Sequence, residues 1–120
     1  MSLLAVAFAG GIGAALRYVT DSLLPKENFP TGTLVVNVIG SFILGLCTGL
    51  QLGGALSNTW LTILGTGFAG GFTTLSTASL DAFTLLKENQ AKKAHLYVWS
   101  MLFLCLVASY LAILLGFNLA

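Results

Sequence analysis

The sequence predicts an all-α membrane protein with four transmembrane helices, the third of which is broken at its centre. Of the 120 residues, 57% are hydrophobic and only 8% are charged, and the mean hydropathy is +0.94. A soluble domain carries about 25% charged residues, and so short a chain cannot hide this much apolar surface in its own core. We therefore expect lipid around the protein and a multi-pass location in the cell membrane.

Four spans follow from the charged and helix-breaking residues that separate the apolar runs. Residues 28–80 carry no formal charge, which leaves room for two helices of about 20 residues each and a turn. Glycines and polar residues at 53–59 mark that turn, Pro25 and Pro30 bound an earlier loop, and a third loop runs from about Lys87 to Lys93. The predicted spans are residues 3–23, 32–53, 60–85 and 95–117, in a single domain over residues 1–120.

The basic residues predict the orientation of these spans. Lys26, Lys87, Lys92 and Lys93 all fall in the first and third loops, and Arg17 lies in the half of span one nearer to that side. Short cytoplasmic loops are enriched in Lys and Arg, so we expect these two loops to be cytoplasmic and both termini to be external. The chain has no concentrated basic surface, which argues against nucleic acid as a partner.

Span two carries a packing signal and a polar residue. Gly45, Gly49 and Gly53 recur every four residues, which lets a neighbouring helix approach the backbone closely. Asn37 lies in an apolar setting, where lipid offers its amide no hydrogen-bond partner. Two interpretations of Asn37 remain open: a hydrogen bond to another helix, or contact with a wet cavity.

Span three does not have the composition of a simple membrane helix. Between residues 65 and 79, four glycines are followed by five hydroxyl residues. Each glycine weakens a helix by about 1 kcal/mol relative to alanine, and Ser and Thr side chains can bond freed backbone groups. We predict a helix break near residues 70–74, which must be buried in protein or line an aqueous cavity. A continuous glycine-rich helix that only packs closely is the alternative.

Two charged residues lie within the spans. Arg17 can extend to the membrane interface or attract anions. Asp81 shares a helix face with Thr77 and Thr84, where it can hold a structural hydrogen bond or line a vestibule. The sequence shows no nucleophile with a base, no metal-ligand spacing and no phosphate loop, so we do not expect an enzyme.

Three motifs, one in each of the first three spans, resemble those of a known family. They are GGIGAALRY at residues 10–18, GTLVVNVIGSF at 32–42 and GFAGGFTTLST at 67–77. In this order they are similar to the Fluc (CrcB) fluoride channels, and the resemblance covers the whole chain. It implies a subunit of a passive channel that exports cytoplasmic fluoride as an antiparallel dimer. It also implies a structural sodium ion at the dimer interface, bound by the backbone carbonyls of Gly70 and Thr73 from both subunits.

The resemblance also implies a path for the ion. Fluoride is small and strongly hydrated, so its pore must supply donors such as an amide and hydroxyls, and the positive edges of aromatic rings can also face an anion. Arg17 and Asp81 are candidates for a vestibule. The implied pathway residues are Asn37, Thr74, Leu75, Ser76, Thr77, Ala78 and Tyr97.

The chain departs from the family at the positions of two aromatic rings. Where relatives have Phe-Ser-Thr-Phe, residues 75–78 read Leu-Ser-Thr-Ala, and Met101 and Cys105 stand where relatives can have serines. These changes affect the pore rather than the fold. Some family members are paired subunits of fixed, opposite orientation, and the one-sided lysines favour such a heterodimer over a homodimer.

Two other functions remain as alternatives. A proton-coupled small multidrug transporter is also four-span and dimeric, but it needs a membrane-embedded carboxylate, and span one has only Asp21 at its end. The other alternative is an assembly subunit that does not conduct.

Overall fold

A computed structural model describes residues 2–24 and 30–120, and these residues form helices joined by short turns. The predicted loop at Pro25, Lys26, Glu27 and Asn28 lies outside the described residues. The helices are α1 (Ser2–Leu23), α2 (Thr31–Leu52), α3 (Asn58–Leu61), a π-helical segment (Thr62–Ala69), α4 (Gly70–Phe72), α5 (Ser76–Lys87) and α6 (Ala91–Leu119).

Among residues 2–24 and 30–120, three helices are long and apolar enough to cross a membrane. They are Leu3–Leu23, Thr31–Leu52 and Ala91–Leu119, each longer than the roughly 20 residues that a hydrocarbon core requires. The described residues contain no β-strand. The prediction of an all-α membrane protein is therefore confirmed. Residues 58–87, where the sequence predicts the third span, consist instead of the four shorter elements from α3 to α5.

The turns between the later helices are short. Residues 53–57 join α2 to α3 and contain Gly54 at φ +89°, a left-handed conformation that glycine adopts without steric cost. Residues 88–90 join α5 to α6. Lys92 and Lys93 consequently lie in the first turn of α6, at the edge of the loop to which the charge pattern assigns them.

α2 and α6 pack closely through glycines. A Cβ atom at Gly49 would collide with the carbonyl oxygen of Ile113, and one at Gly116 would collide with that of Leu46. Gly45 lies against the backbone of Ser109 in the same way. The four-residue glycine spacing of α2 thus faces α6, and the two backbones approach without intervening side chains.

A second set of glycines joins α1 to the π-helical segment and α4. Gly13 lies against the Phe68 carbonyl, and Gly71 lies against the carbonyl of Gly10. Side chains larger than hydrogen at these positions would separate the two elements. α1 therefore packs directly against the π-helical segment and α4.

Large apolar side chains cover the outer surface of α1 and α6. They remain exposed in the chain, as expected of surfaces that meet lipid or another subunit. Examples are Leu4, Phe8, Leu23, Phe103, Leu106, Leu111 and Phe117.

Candidate functional site

The regular helix stops at Phe72 and begins again at Ser76. In a continuous helix the Thr74 N–H would donate to the Gly70 carbonyl, but it donates to Asn37 Oδ1 at 2.8 Å. The Thr77 N–H likewise donates to Thr74 Oγ1 at 3.1 Å. The carbonyl oxygens of Gly70 and Thr73 therefore lack their usual helical donors. We call residues 73–75 the interruption.

Asn37 on α2 is bound to both backbone groups of Thr74. Besides accepting from the Thr74 N–H, its Nδ2 donates to the Thr74 carbonyl at 2.9 Å. Its second amide hydrogen is directed to Met101 Sδ on α6, with an Nδ2 to Sδ distance of 3.2 Å. Asn37 is 9% exposed. Of the two interpretations from sequence, the structure shows the hydrogen bond to a neighbouring element, while the side chain also borders a groove.

Arg17 reaches the interruption from α1. Its Nη1 donates to the Thr73 carbonyl oxygen at 3.1 Å. The guanidinium thus lies at the end of α4, where cations interact favourably with exposed carbonyls and the negative end of a helix. The side chain of Arg17 is therefore bonded to the backbone of the interruption.

Two threonine hydroxyls complete the local bonding. Thr73 Oγ1 donates back to the Ala69 carbonyl at 2.9 Å, and the same carbonyl accepts from the Thr73 N–H, so both groups of Thr73 bond within its own helical turn. Thr74 Oγ1, one residue before the Leu75 N-cap, accepts from the Thr77 N–H and so gives one N–H of the first turn of α5 a partner. A Cβ at Gly40 would collide with Thr73 Cγ2, so Gly40 lets the interruption lie against α2.

A groove of about 550 Å³ runs along the interruption. We call it the break groove. Gly70 is exposed at this surface, and the nearest atom that a Cβ there would meet is the Gly65 carbonyl oxygen, 4.0 Å away. The groove is lined by Asn37, Gly40, Ser41, Leu44, Gly65, Thr66, Ala69, Gly70, Thr73, Thr74, Leu75 and Cys105.

A second groove, of about 570 Å³, lies between α5 and α6. Leu75 and Cys105 border both grooves. Leu75 is 82% exposed, whereas Ala78 is 7% exposed. We call this space the α5–α6 groove, and its lining is Leu75, Ala78, Ser79, Ala82, Phe83, Leu86, Tyr97, Val98, Met101, Leu102 and Cys105.

Asp81 accepts two side-chain hydrogen bonds. Thr33 Oγ1 donates to Asp81 Oδ2 at 3.0 Å, and the Tyr97 hydroxyl donates to the same oxygen at 3.4 Å. Tyr97 is fully buried. The carboxylate therefore ties α5 to α2 and α6, as in the structural interpretation of Asp81. Thr84, which shares its helix face, bonds the Leu80 carbonyl within α5.

The donor chemistry at the interruption fits a sodium ion. Unwound backbone carbonyls and the C-terminal ends of half-helices coordinate this cation in other membrane proteins, and Gly70 and Thr73 present such oxygens. A carbonyl has two lone pairs, so the Thr73 oxygen can accept from Arg17 and still face a cation. Among residues 2–24 and 30–120, no three His, Cys, Asp or Glu side chains cluster as a metal site.

The chain matches one family model and many curated proteins. The model describes a CrcB-like protein, Camphor Resistance (CrcB), and matches residues 4–116. The chain belongs to the CrcB family. A relative from Leifsonia xyli subsp. xyli, named Fluoride-specific ion channel FluC 1, is 50% identical over 117 residues, covering 95% of this chain and 85% of the relative.

Two further relatives match over similar lengths. The Fluoride-specific ion channel FluC of Methanococcus maripaludis is 41% identical over 110 residues, which cover 91% of this chain and 90% of the relative. The protein of the same name from Thermococcus gammatolerans is 42% identical over 115 residues and 94% of each chain. Membership of this family, together with the three apolar helices, makes the chain a multi-pass protein of the cell membrane.

In this CrcB chain the predicted site residues fall into two connected groups. Asn37, Gly70, Thr73 and Thr74 meet at the break groove, while Ala78 and Tyr97 border the α5–α6 groove. Leu75 joins the two. Ser76 is exposed as the first residue of α5, and Thr77 is half-buried in its first turn. Arg17 and Asp81 have different bonding partners, at the interruption and in the Thr33–Tyr97 cluster respectively.

Two residues with a part in the site were not predicted as site residues. Thr33 bonds Asp81, and Met101 contacts the Asn37 amide. Thr33 lies four residues before Asn37 and so on the same face of α2, a spacing that could have indicated it. Met101 appears in the sequence only as the replacement of a family serine, and no spacing indicates its contact with α2.

Proposed function

We propose that this CrcB chain is a subunit of a passive fluoride channel that lets cytoplasmic fluoride leave the cell. The observation that carries the proposal is the interruption at 73–75. Asn37 of α2 stabilises it through hydrogen bonds to the Thr74 backbone. It occurs in a chain whose relatives are named fluoride-specific ion channels. Such a protein transports an ion down its gradient and catalyses no reaction, as the sequence led us to expect.

The residues around the interruption offer what a dehydrated anion requires. α5 begins there, and the N-terminus of a helix carries partial positive charge and free N–H groups. Ser76 is exposed at that end, and its hydroxyl can replace a water of hydration. Arg17 adds a positive charge through its contact with the Thr73 carbonyl. Together these groups lower the electrostatic cost of an anion near the interruption.

We further propose that residues 58–87 cross the membrane as the third of four spans, broken at residues 73–75. Irregular backbone at membrane depth must be buried in protein or line an aqueous cavity. The bonds from Asn37 and Arg17 and the adjacent break groove meet this requirement.

The functional unit in this proposal is an antiparallel dimer with a sodium ion between the subunits. Gly70 and Thr73 of each subunit would hold the ion through their carbonyls. The exposure of Gly70 leaves the approach to these oxygens open. When bound, sodium would supply positive field near the anion path and join the two chains. Two oxygens are fewer than a cation's usual coordination shell, so the site needs the second subunit.

We favour a homologous second subunit over an identical one. Lys87, Lys92 and Lys93 lie at the same end of α5 and α6, and Lys26 belongs to the loop predicted on that side. A strong bias of this kind favours one orientation per chain. An antiparallel partner would then need the opposite bias, and therefore a different sequence.

In the proposed dimer, this chain would contribute a pore that conducts fluoride poorly. Leu75 and Ala78 present no aromatic edge, and the α5–α6 groove beside them is bordered mainly by apolar side chains. An anion that passes there would lose the favourable ring-edge contacts that the family motif implies. The partner would supply the intact route. The multidrug-transporter alternative is not favoured, because the relatives of this chain are named fluoride-specific ion channels.

Growth on fluoride tests the proposal in cells that lack their own fluoride exporter. We expect co-expression of the chain with a homologous subunit that bears Phe-Ser-Thr-Phe to restore growth and lower intracellular fluoride. Gly70→Leu, which crowds the carbonyl site, should abolish this rescue, whereas Leu104→Ala on α6 should not. If the chain, alone or with the homologous subunit, does not improve growth on fluoride, the channel function is contradicted. Resistance to cationic drugs instead would identify a transporter.

A further inference from the structure

The bonding of Asn37 commits only one of its two amide hydrogens to the backbone of the interruption. A primary amide has two N–H donors, and one of them pairs with the Thr74 carbonyl at 2.9 Å. Because that pair holds the interruption, an anion could take this donor only at the cost of a buried carbonyl without a partner. The orientation of the amide is fixed, since its oxygen already accepts from the Thr74 N–H.

Met101 covers the other donor. The Asn37 Nδ2 to Met101 Sδ distance is 3.2 Å, and a thioether is only a weak acceptor. Fluoride would be a far stronger acceptor for the same hydrogen. The contact therefore holds the amide weakly but prevents other groups from approaching it.

The position of Met101 on α6 explains how its side chain is held against the Asn37 amide. Tyr97, one helical turn earlier on α6, is fully buried and bonded to Asp81. This anchor fixes the backbone of α6, whereas the methionine side chain keeps three rotatable bonds. Met101 also borders the α5–α6 groove, which gives the side chain space into which it can turn.

We propose that Met101 is a positioning residue that closes the Asn37 donor to fluoride in this subunit, and that anion binding to Asn37 requires the thioether to move into the α5–α6 groove. The inference rests on the proposed function as a channel subunit. It gives the poor fluoride conduction of this pore a second cause, the Met101 side chain, besides the missing aromatic rings. A serine at the same position would be too short to cover the amide.

The side-chain amide signals of Asn37 test this inference directly. Protein labelled with ¹⁵N-asparagine is titrated with sodium fluoride in lipid nanodiscs at constant sodium, with chloride as the other anion, and Asn37→Asp identifies the signals. In the unmodified protein we expect no fluoride-dependent shift. In Met101→Ala and Met101→Ser one of the two amide hydrogens should shift on adding fluoride, while the hydrogen bound to Thr74 stays in place.

Two control variants separate covering from general loosening. Met101→Leu keeps the bulk of the side chain and should leave Asn37 unresponsive to fluoride, and Leu104→Ala removes a comparable side chain outside both grooves. The inference is overturned if the unmodified protein already responds, if Met101→Ala and Met101→Ser both remain silent, or if Leu104→Ala responds equally.

Fluoride flux with the homologous subunit distinguishes this inference from the proposed function. Met101→Ser should raise the flux through this chain's pore by about tenfold, which is about 1.4 kcal/mol of barrier. An unchanged flux in a conducting pair would overturn the inference alone. An absence of flux from every pair would overturn the channel function, and the amide titration would still decide whether Met101 covers Asn37.

Discussion

The side-chain amide of Asn37 and the backbone of Thr74 form a pair of hydrogen bonds, with the Thr74 N–H donating at 2.8 Å and the amide donating back at 2.9 Å. The two residues are 37 positions apart and belong to different elements. The Asn37 side chain on α2 thus supplies the hydrogen bonds that the Thr74 backbone would otherwise make within a helix. This pair lets the chain leave the helical path after Phe72 without leaving the Thr74 backbone groups unbonded.

Asn37→Ala should therefore lower stability sharply. It leaves both Thr74 backbone groups without their partner, and each buried unsatisfied group costs about 1–3 kcal/mol. Thr48→Ala is the matched control, because the Thr48 hydroxyl bonds only the Leu44 carbonyl within α2. Thermal unfolding in detergent, monitored by size-exclusion chromatography, should show a large drop in Tm for Asn37→Ala and a small drop for Thr48→Ala. Equal drops would mean that Asn37 does not hold the interruption.

The glycine contact between α2 and α6 predicts a different pair of variants. Gly49→Ala should destabilise the protein, because its Cβ would meet the Ile113 carbonyl. Gly11→Ala should be neutral or slightly stabilising, since a Cβ there meets nothing within 4 Å and alanine favours the helix by about 1 kcal/mol. The same unfolding measurement compares them, and a greater loss for Gly11→Ala would contradict the packing described.

Orientation can be tested with single cysteines in a protein that lacks Cys47 and Cys105. A cysteine at Ala91, at the exposed start of α6, should react with a membrane-impermeant maleimide only after the cells are opened. A cysteine at Thr59, which is exposed in α3 at the opposite predicted side, should react in intact cells. If each position is labelled to the same extent before and after opening, the chain inserts in both orientations and the fixed-orientation argument fails.

Local sequence patterns predicted the structural features that depend on residues close together in the sequence. The predicted spans 3–23 and 32–53 differ by at most one residue at each end from α1 and α2, whereas α6 begins at Ala91, four residues before the predicted span 95–117. The glycines and hydroxyls of residues 65–79 pointed to 70–74, and regular helix is absent at residues 73–75. Both depend on backbone preferences that composition reports directly.

Contacts between distant helices could not be predicted in this way. Met101 is 64 residues from Asn37, and Thr33 is 48 residues from Asp81. Their contacts depend on the register between helices, which side-chain packing determines and which no single segment encodes. The π-helical segment Thr62–Ala69 was also not predicted, because its composition is that of any glycine-containing apolar helix.

In the proposed channel, we expect the residues at positions 75 and 78 to limit how much fluoride this chain conducts. Leu75→Phe with Ala78→Phe restores the two rings of the family motif, and the α5–α6 groove beside Ala78 offers about 570 Å³ to receive one of them. Pairing the unmodified chain with a subunit that bears Phe-Ser-Thr-Phe tests the same point without altering the chain.

Fluoride efflux from liposomes is the most direct test of the account as a whole. It compares the unmodified chain alone, the double substitution, and the chain with its homologous subunit, with chloride efflux as the selectivity control. We predict slow fluoride efflux from the unmodified chain alone, faster efflux from the double substitution, and rapid fluoride-selective efflux from the pair. Rapid fluoride-selective efflux from the unmodified chain alone, unchanged by the double substitution, would contradict the weakened pore, and no fluoride efflux in any of the three would contradict the channel.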